Sequence, residues 1–282
     1  MTLERFARVV GCGDARIDLA EACLMIAQDA YPGLDVGRYL GDIERMALRL
    51  RGRMPQSCAA GERVLALNDF LFDDLGYSGN IDDYYDPRNS YLNEVIERRT
   101  GIPITLSILY MEVGRRVGLP LEGISFPGHF MVRLRVRSGM LVLDPFACGA
   151  PQSEPELRER LRRVIPEGLT DEVPLAELPL EQFLEPASKR QILSRVLRNL
   201  KAIYRDAEKP ERMLEVLNRM LLVSPEASAE LRDRGYVYER LECWRPALQD
   251  LTDYVGREPD APDAHEVRVK LMELSARCAR LN

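Results

Sequence analysis

The chain is short of the residues on which many reaction types depend. It holds only two histidines, His129 and His265, in 282 residues. That excludes a histidine-rich zinc site, and any imidazole chemistry must use one of the two. Its six cysteines (Cys12, Cys23, Cys58, Cys148, Cys243 and Cys278) are unevenly spread, form no CxxC pair, and leave the stretch between Cys58 and Cys148 without a thiol. This is neither a disulfide framework nor a paired metal site, and it predicts reduced thiols in a cytoplasmic protein. No apolar run approaches the ~20 residues that cross a bilayer, and Met1-Thr2-Leu3-Glu4-Arg5 carries no signal-peptide core. An excess of basic charge is also missing. The 39 Lys+Arg against 45 Asp+Glu give a net charge of −6, which argues against the chain as a whole being a nucleic-acid partner. No cofactor and no metal are expected.

The rest is ordinary globular material, 46% hydrophobic and 30% charged, and long enough for two domains or one large one. Residues 1–78 read as helices. Leu19, Ala22, Cys23, Ile26 and Ala27 recur at helical spacing until Tyr31-Pro32-Gly33. Asp35 can cap a helix through Val36, Tyr39, Ile43, Met46, Ala47 and Leu50. A third helix follows Pro55, carrying Val64, Leu65, Leu67, Leu71, Phe72 and Leu75. Gly76 to Asn89 reads as a loop. Its acids Asp82, Asp83 and Asp86, with Asp74 before it, lack the spacing and closing Glu of a calcium loop, so an ordinary polar loop is the expectation.

Asn89 or Ser90 can cap a short helix to Arg99, and Thr100-Gly101 breaks it. Pro103 suits the first position of a helix, where its missing N–H costs nothing. Leu106, Leu109, Tyr110, Val113 and Val117 then make the apolar stripe of a buried central helix, closed by Gly118-Leu119-Pro120. The period then changes. Phe130, Val132, Leu134 and Val136 alternate with Met131, Arg133, Arg135 and Arg137, which predicts a strand with one wet face. Ser138-Gly139 signals a turn into a second strand ending at Asp144-Pro145. Two registers stay open. With Asp144 opposite Met131, the carboxylate lies diagonal to His129 on one face. With Asp144 opposite Arg133, an Asp144–Arg133 ion pair is the natural outcome.

From Pro151 to Pro186 prolines surround one short helix, Glu156 to Val164. The expected organisation is a domain over 1–165, a Pro-rich linker over 166–186, and a helical domain over 187–282. The last third repeats at a shift of 34 residues: Leu197 falls on Leu231, Tyr204 on Tyr238, Leu217 on Leu251 and Pro225 on Pro259. Helix pairs 194–208 with 210–223 and 226–242 with 244–257 follow, then a capping helix from Ala261 to Leu281. Gly235, Tyr238, Ala247 and Pro259 sit where a tetratricopeptide unit wants a small residue, an aromatic, a small residue and a closing proline. Lys201 and Met213 occupy the small positions of the first unit. Such repeats bind a protein or peptide partner, or pack against a neighbouring domain. The basic run Lys189, Arg190, Arg195, Arg198, Lys201 and Arg205 lacks interleaved aromatics and reads as a solvated helix face, not an RNA surface.

A helix start, a histidine opening one strand and an aspartate closing the next reproduce the layout of papain-like and transglutaminase-like sites. There a Cys at the helix N-terminus attacks, His is its base and Asp orients the ring. Asn89-Ser90-Tyr91-Leu92-Asn93-Glu94, Gly101-Ile102-Pro103-Ile104-Thr105-Leu106-Ser107, Pro127-Gly128-His129-Phe130 and Leu143-Asp144-Pro145-Phe146, in this order, resemble the SirB-type regulator family. That family couples a transglutaminase-like domain to C-terminal tetratricopeptide repeats. The resemblance implies an α+β, helix-rich domain with a small antiparallel sheet, then an all-α repeat domain. It implies that His129 and Asp144 are the family's His and Asp, and that its Cys position falls at about Pro103. The expected function is therefore a non-catalytic interaction or regulatory protein on a degenerate transglutaminase-like scaffold, holding a protein partner through the old cleft or the repeats. The competing expectation is a peptide or amide hydrolase or acyltransferase with a relocated nucleophile: Thr105 or Ser107 in the helix, Cys148 after Asp144, or Cys23 or Cys58 from the helical region.

Overall fold

A computed structural model of the chain describes residues 2–55, 58–137, 139–164 and 179–280. Among them the α-helices run in the order α1 (Thr2–Val10), α2 (Leu19–Ala27), α3 (Val36–Arg51), α4 (Ala60–Asn68), α5 (Leu92–Arg98), α6 (Pro103–Arg116), α7 (Glu154–Val164), α8 (Lys189–Asp206), α9 (Pro210–Val223), α10 (Ser228–Arg240), α11 (Trp244–Arg257) and α12 (Ala264–Arg280). Two short parallel strands, β1 (Ser78–Gly79) and β2 (Thr100–Gly101), pair with each other. The strands β3 (Glu122–Ile124), β4 (Met131–Val136), β5 (Gly139–Asp144) and β6 (Ala150–Pro151) form an antiparallel sheet in that order. The contacts divide the chain into two compact units, Asp14–Ile192 and Met1–Gly13 with Leu193–Asn282.

In the first unit, α2 and α3 start on aspartate caps. Asp18 accepts from the Glu21 N–H and Asp35 from the Arg38 N–H, each satisfying an orphan donor of its first turn. α4 runs on into a π-helical segment, Asp69–Asp74, so the expected third helix is one continuous rod, although Leu65 points into water. α5 is not capped by Asn89 or Ser90. These lie in a 3-10 turn, Pro87–Ser90, and Tyr91 precedes the helix, which ends on Arg99 in the left-handed region. α6 begins at Pro103 and is buried on every side from Pro103 to Gly114, so the predicted stripe is the inner part of a wholly enclosed helix. Its one acid there, Glu112, is held by Arg115 and Arg116.

The hairpin takes the first of the two registers. Val132 pairs with Leu143 and Val136 with Gly139, which sets Asp144 level with Met131. Gly139 already belongs to β5, so the reversal comes one residue earlier than a Ser138-Gly139 turn; Ser138 itself lies outside the described residues. Arg133 therefore does not meet Asp144. It pairs with Glu122 on β3 at 2.8 Å and donates to the Leu184 carbonyl at 2.6 Å. The expected wet face of β4 is only half realised: Arg135 and Arg137 are exposed, but the first two residues of that face are not. Met131 and Arg133 are buried, because Leu157 and Leu161 of α7 and Leu180 and Leu184 of the turn Leu180–Leu184 cover that side, clustered with Ile124, Phe126, Met131 and Val142. Residues 179–186, read as linker, are thus part of this core, and Pro186 bridges to Ile124 at the sheet edge. The rest of that stretch, 166–178, lies outside the described residues.

The second unit is helical, and its helices agree with the 34-residue period. Leu197, Leu217, Leu231 and Leu251 are all buried, and Pro225 and Pro259 follow the ends of α9 and α11. Lys201, in a position that usually holds a small residue, forms an ion pair with Asp233 at 2.6 Å. Arg234 joins three helices by donating to Asp250 at 2.7 and 2.9 Å and to Asn218 at 3.0 Å. The N-terminal helix belongs here and not with residues 14–165. α1 packs on α9, where the buried Arg219 guanidinium lies 4.6 Å from the Phe6 ring centroid. The basic run is largely spoken for: the Lys189 ammonium meets the Ala15 and Ile17 carbonyls, and Arg205 meets Asp206.

Gly235 is the point of closest approach between α10 and α11. A Cβ there would stand 2.7 Å from Leu251 Cγ. Gly235→Ala is expected to destabilise the protein by about 1–2 kcal/mol in urea unfolding, overpacking outweighing the helix-propensity gain. Gly256→Ala, where a Cβ meets nothing within 4 Å, is expected to stay within about 0.5 kcal/mol of the parent.

Candidate functional site

The site sits where β5 ends. Asp144 leaves the sheet into a tight turn, Pro145–Ala147, and its carboxylate is only 1% exposed. It accepts from three donors: the Phe146 N–H at 3.1 Å, His129 Nε2 at 2.9 Å, and Arg160 Nη2 of α7 at 2.8 Å. His129 reaches it because Gly128 takes a left-handed φ of 67° and the His129 N–H closes onto the Phe126 carbonyl, turning the ring over the end of the strand pair. Nε2 stands 2.9 Å from both carboxylate oxygens. A carboxylate only accepts, so Nε2 carries a proton, and in the neutral ring Nδ1 is then the acceptor nitrogen. The ring is 12% exposed.

The floor is built by α6 and β1. The turn Pro145–Ala147 packs against both. Gly79 makes this possible, since a Cβ there would stand 2.5 Å from the Phe146 ring. Phe146 in turn meets the His129 ring edge-on, with centroids 6.1 Å apart. Behind the turn, the buried Tyr110 hydroxyl of α6 donates to Asn68 Oδ1 at 2.7 Å, and the Asn68 amide donates to the Gly149 carbonyl at 3.2 Å.

The sequence-derived candidates fall in different places. His129 and Asp144 are together. Pro103 is the first residue of α6, and it offers no nucleophilic atom. Thr105 is buried with its hydroxyl committed: it donates to the Asn89 carbonyl at 2.7 Å and accepts from the Ile102 N–H at 3.2 Å, closing the helix start. Ser107 is fully buried, and its Oγ has no hydrogen-bond partner among the described residues. Cys148 is exposed, with a left-handed φ of 53°. Cys23 is buried in α2, where desolvation and the nearby Glu112 and Asp18 charges push its thiol far above the ordinary range. Cys58 is half-buried. Among the described residues, no hydroxyl or thiol hydrogen-bonds to His129, whose side-chain partner is Asp144.

Arg160 is the member that the sequence did not reveal. It sits in a helix dense with alternating charge, and nothing in spacing separates it from Arg158, Arg162 or Arg163. It divides the charge of Asp144 between a guanidinium and the imidazole. The loop acids do not gather for a cation. Asp74 pairs with Arg53, and Asp86 with Arg88 and Arg98. Burial opposes the charge on Asp86, but its hydrogen bonds from Arg88 outweigh this and hold the carboxyl below its usual range. Among the described residues no group of three His, Cys, Asp or Glu side chains is arranged to hold a metal ion. No helix there is long and apolar enough to cross a membrane.

Known proteins agree with this architecture. The transglutaminase-like superfamily model matches residues 37–198, and a tetratricopeptide repeat model matches residues 200–272. A UPF0162 protein of Xylella fastidiosa (strain 9a5c) is 44% identical over 93% of this chain and 92% of its own length. The UPF0162 protein YchA of Escherichia coli (strain K12) is 27% identical over 90% of each chain, and Protein SirB1 of Salmonella typhimurium is 26% identical over 82% of each. No solved structure matches the chain. A buried His–Asp pair at the mouth of a hairpin, the buried central helix and the C-terminal helix pairs all lie within the matched stretches. The chain belongs to the transglutaminase-like superfamily, in the UPF0162 and SirB1 group that adds tetratricopeptide repeats to that domain.

Proposed function

We propose that this protein is a non-catalytic interaction or regulatory protein. Its transglutaminase-like domain keeps the imidazole and carboxylate of an ancestral acyl-transfer site as structural elements, and the repeats and the old cleft hold a protein partner. The observation that carries the reading is the identity of residue 103. The central helix begins with a proline where a thiol would gain from the helix N-terminus. The commitment of Asp144 to Arg160 supports it further, since the carboxylate is already neutralised before any imidazolium forms. Tetratricopeptide repeats generally serve protein–protein contacts, which makes a partner the natural ligand.

One observation favours a second reading, a hydrolase or acyltransferase. His129 turns Nε2–H to Asp144 and leaves Nδ1 as an acceptor, the arrangement a general base needs. It would then depend on a nucleophile brought from elsewhere, with exposed Cys148 the most accessible thiol of this unit.

The two readings separate in an assay of the full chain with glutamine-containing peptides, activated esters and amides. The expected result is turnover no faster than the His129→Ala variant. A rate that His129→Ala or Cys148→Ser abolishes establishes the second reading instead. A structural role also predicts a stability cost: Asp144→Asn is expected to lower unfolding free energy by about 2 kcal/mol, because two side-chain donors, His129 and Arg160, lose a buried carboxylate. Urea denaturation followed by circular dichroism measures this, and an unchanged midpoint would contradict it.

A further inference from the structure

The loop from Asn80 to Ser90 combines a fixed backbone with large side chains left in water. Asn80 Oδ1 accepts from the Asp83 N–H at 3.0 Å. The fully buried Asn89 donates to the Asp83 carbonyl at 2.7 Å and the Tyr84 carbonyl at 3.3 Å, and its own oxygen accepts from the Asn80 amide at 3.1 Å. On this frame Ile81 is 79% exposed, Tyr85 76% and Tyr84 39%. Contiguous exposed apolar surface is costly, and on a pre-ordered loop a ligand covers it with little loss of conformational entropy. The patch is continuous with the site above: Tyr84 meets Tyr85 with centroids 5.3 Å apart and Phe146 at 6.3 Å, and Phe146 meets His129.

Its charge is of one sign. Asp82 and Asp83 stand in the chain between Ile81 and the two tyrosines and make no ion pair among the described residues. The neighbouring cations Arg88 and Arg98 are both engaged by Asp86. Acid next to tyrosine faces selects a cation flanked by apolar groups: the carboxylates attract it, and the rings add cation–π attraction. It repels an acidic peptide or a nucleic-acid backbone.

We propose that the Ile81–Tyr85 patch is a docking site for a basic segment of another protein, with a Lys or Arg held by Asp82, Asp83 and the tyrosines and a neighbouring large apolar residue on Ile81 and Tyr85. This names the partner chemistry of the cleft and rests on its reading as an interaction surface.

The test uses the full chain and a random dodecapeptide display library, counter-selected on the Ile81→Ser/Tyr85→Ala double variant. Both substituted side chains are exposed, and circular dichroism verifies the fold. The expected outcome is enrichment of peptides carrying Lys or Arg beside a large apolar residue. A synthesised winner should lose about tenfold in affinity on the double variant, and about threefold on Asp82→Asn/Asp83→Asn, an effect that shrinks in high salt. No enrichment over the double variant, enrichment of acidic peptides, or a chain that self-associates through these residues by light scattering would overturn the proposal. Hydrolysis of a bound peptide that His129→Ala abolishes would overturn the non-catalytic reading and leave the docking site standing.

Discussion

The buried carboxylate of Asp144 is where four segments of the transglutaminase-like unit meet. β5 delivers it, the turn Pro145–Ala147 is capped by it, the turn leading into β4 offers His129 to it, and α7 sends Arg160. An almost fully enclosed charge is tolerated only when its lone pairs are taken up, and here each donor fixes a different element. The same interaction seats Phe146 against the glycine of β1, in a turn that packs on the central helix. The contact that orients the His129 imidazole therefore also holds the end of the sheet together.

Much of this arrangement was legible in the sequence. The motif order placed His129 and Asp144 at the two ends of a hairpin, Pro103 marked a helix start because its missing N–H is harmless there, and the 34-residue period located the paired helices. The rest depends on through-space choices that spacing does not encode. The register turned on where the chain reverses, and pairing of Val136 with Gly139 moves the reversal one residue ahead of Ser138-Gly139. Burial of Met131 and Arg133 depended on Leu157, Leu161, Leu180 and Leu184 covering the sheet, whereas β4 alone reads as half-wet. Arg160 was invisible among its charged neighbours. Phe6 could not be assigned to the helical unit, because its partner Arg219 is more than two hundred residues away.

The two units keep different records of their function. In the helical unit the polar residues brace helix against helix: Arg234 with Asp250 and Asn218, Lys201 with Asp233, and Asp263 accepting from both Arg232 and the Tyr254 hydroxyl at 2.6 Å. In the other unit, polar residues gather instead around one buried carboxylate, Asp144, which accepts from His129 and Arg160, while the central helix begins at Pro103. This unit also presents a shaped, aromatic-rimmed surface.

The central claim is that the frame around residue 103 is a thiol site without its thiol, and it is open to one direct measurement. In Pro103→Cys, the alkylation rate of the introduced thiol by iodoacetamide, followed by peptide mass spectrometry across pH, reports its ionisation. The account predicts a thiolate formed well below the ordinary value of about 8.5 and restored towards it by His129→Ala. A thiol that titrates normally, and is indifferent to His129, would contradict the claim.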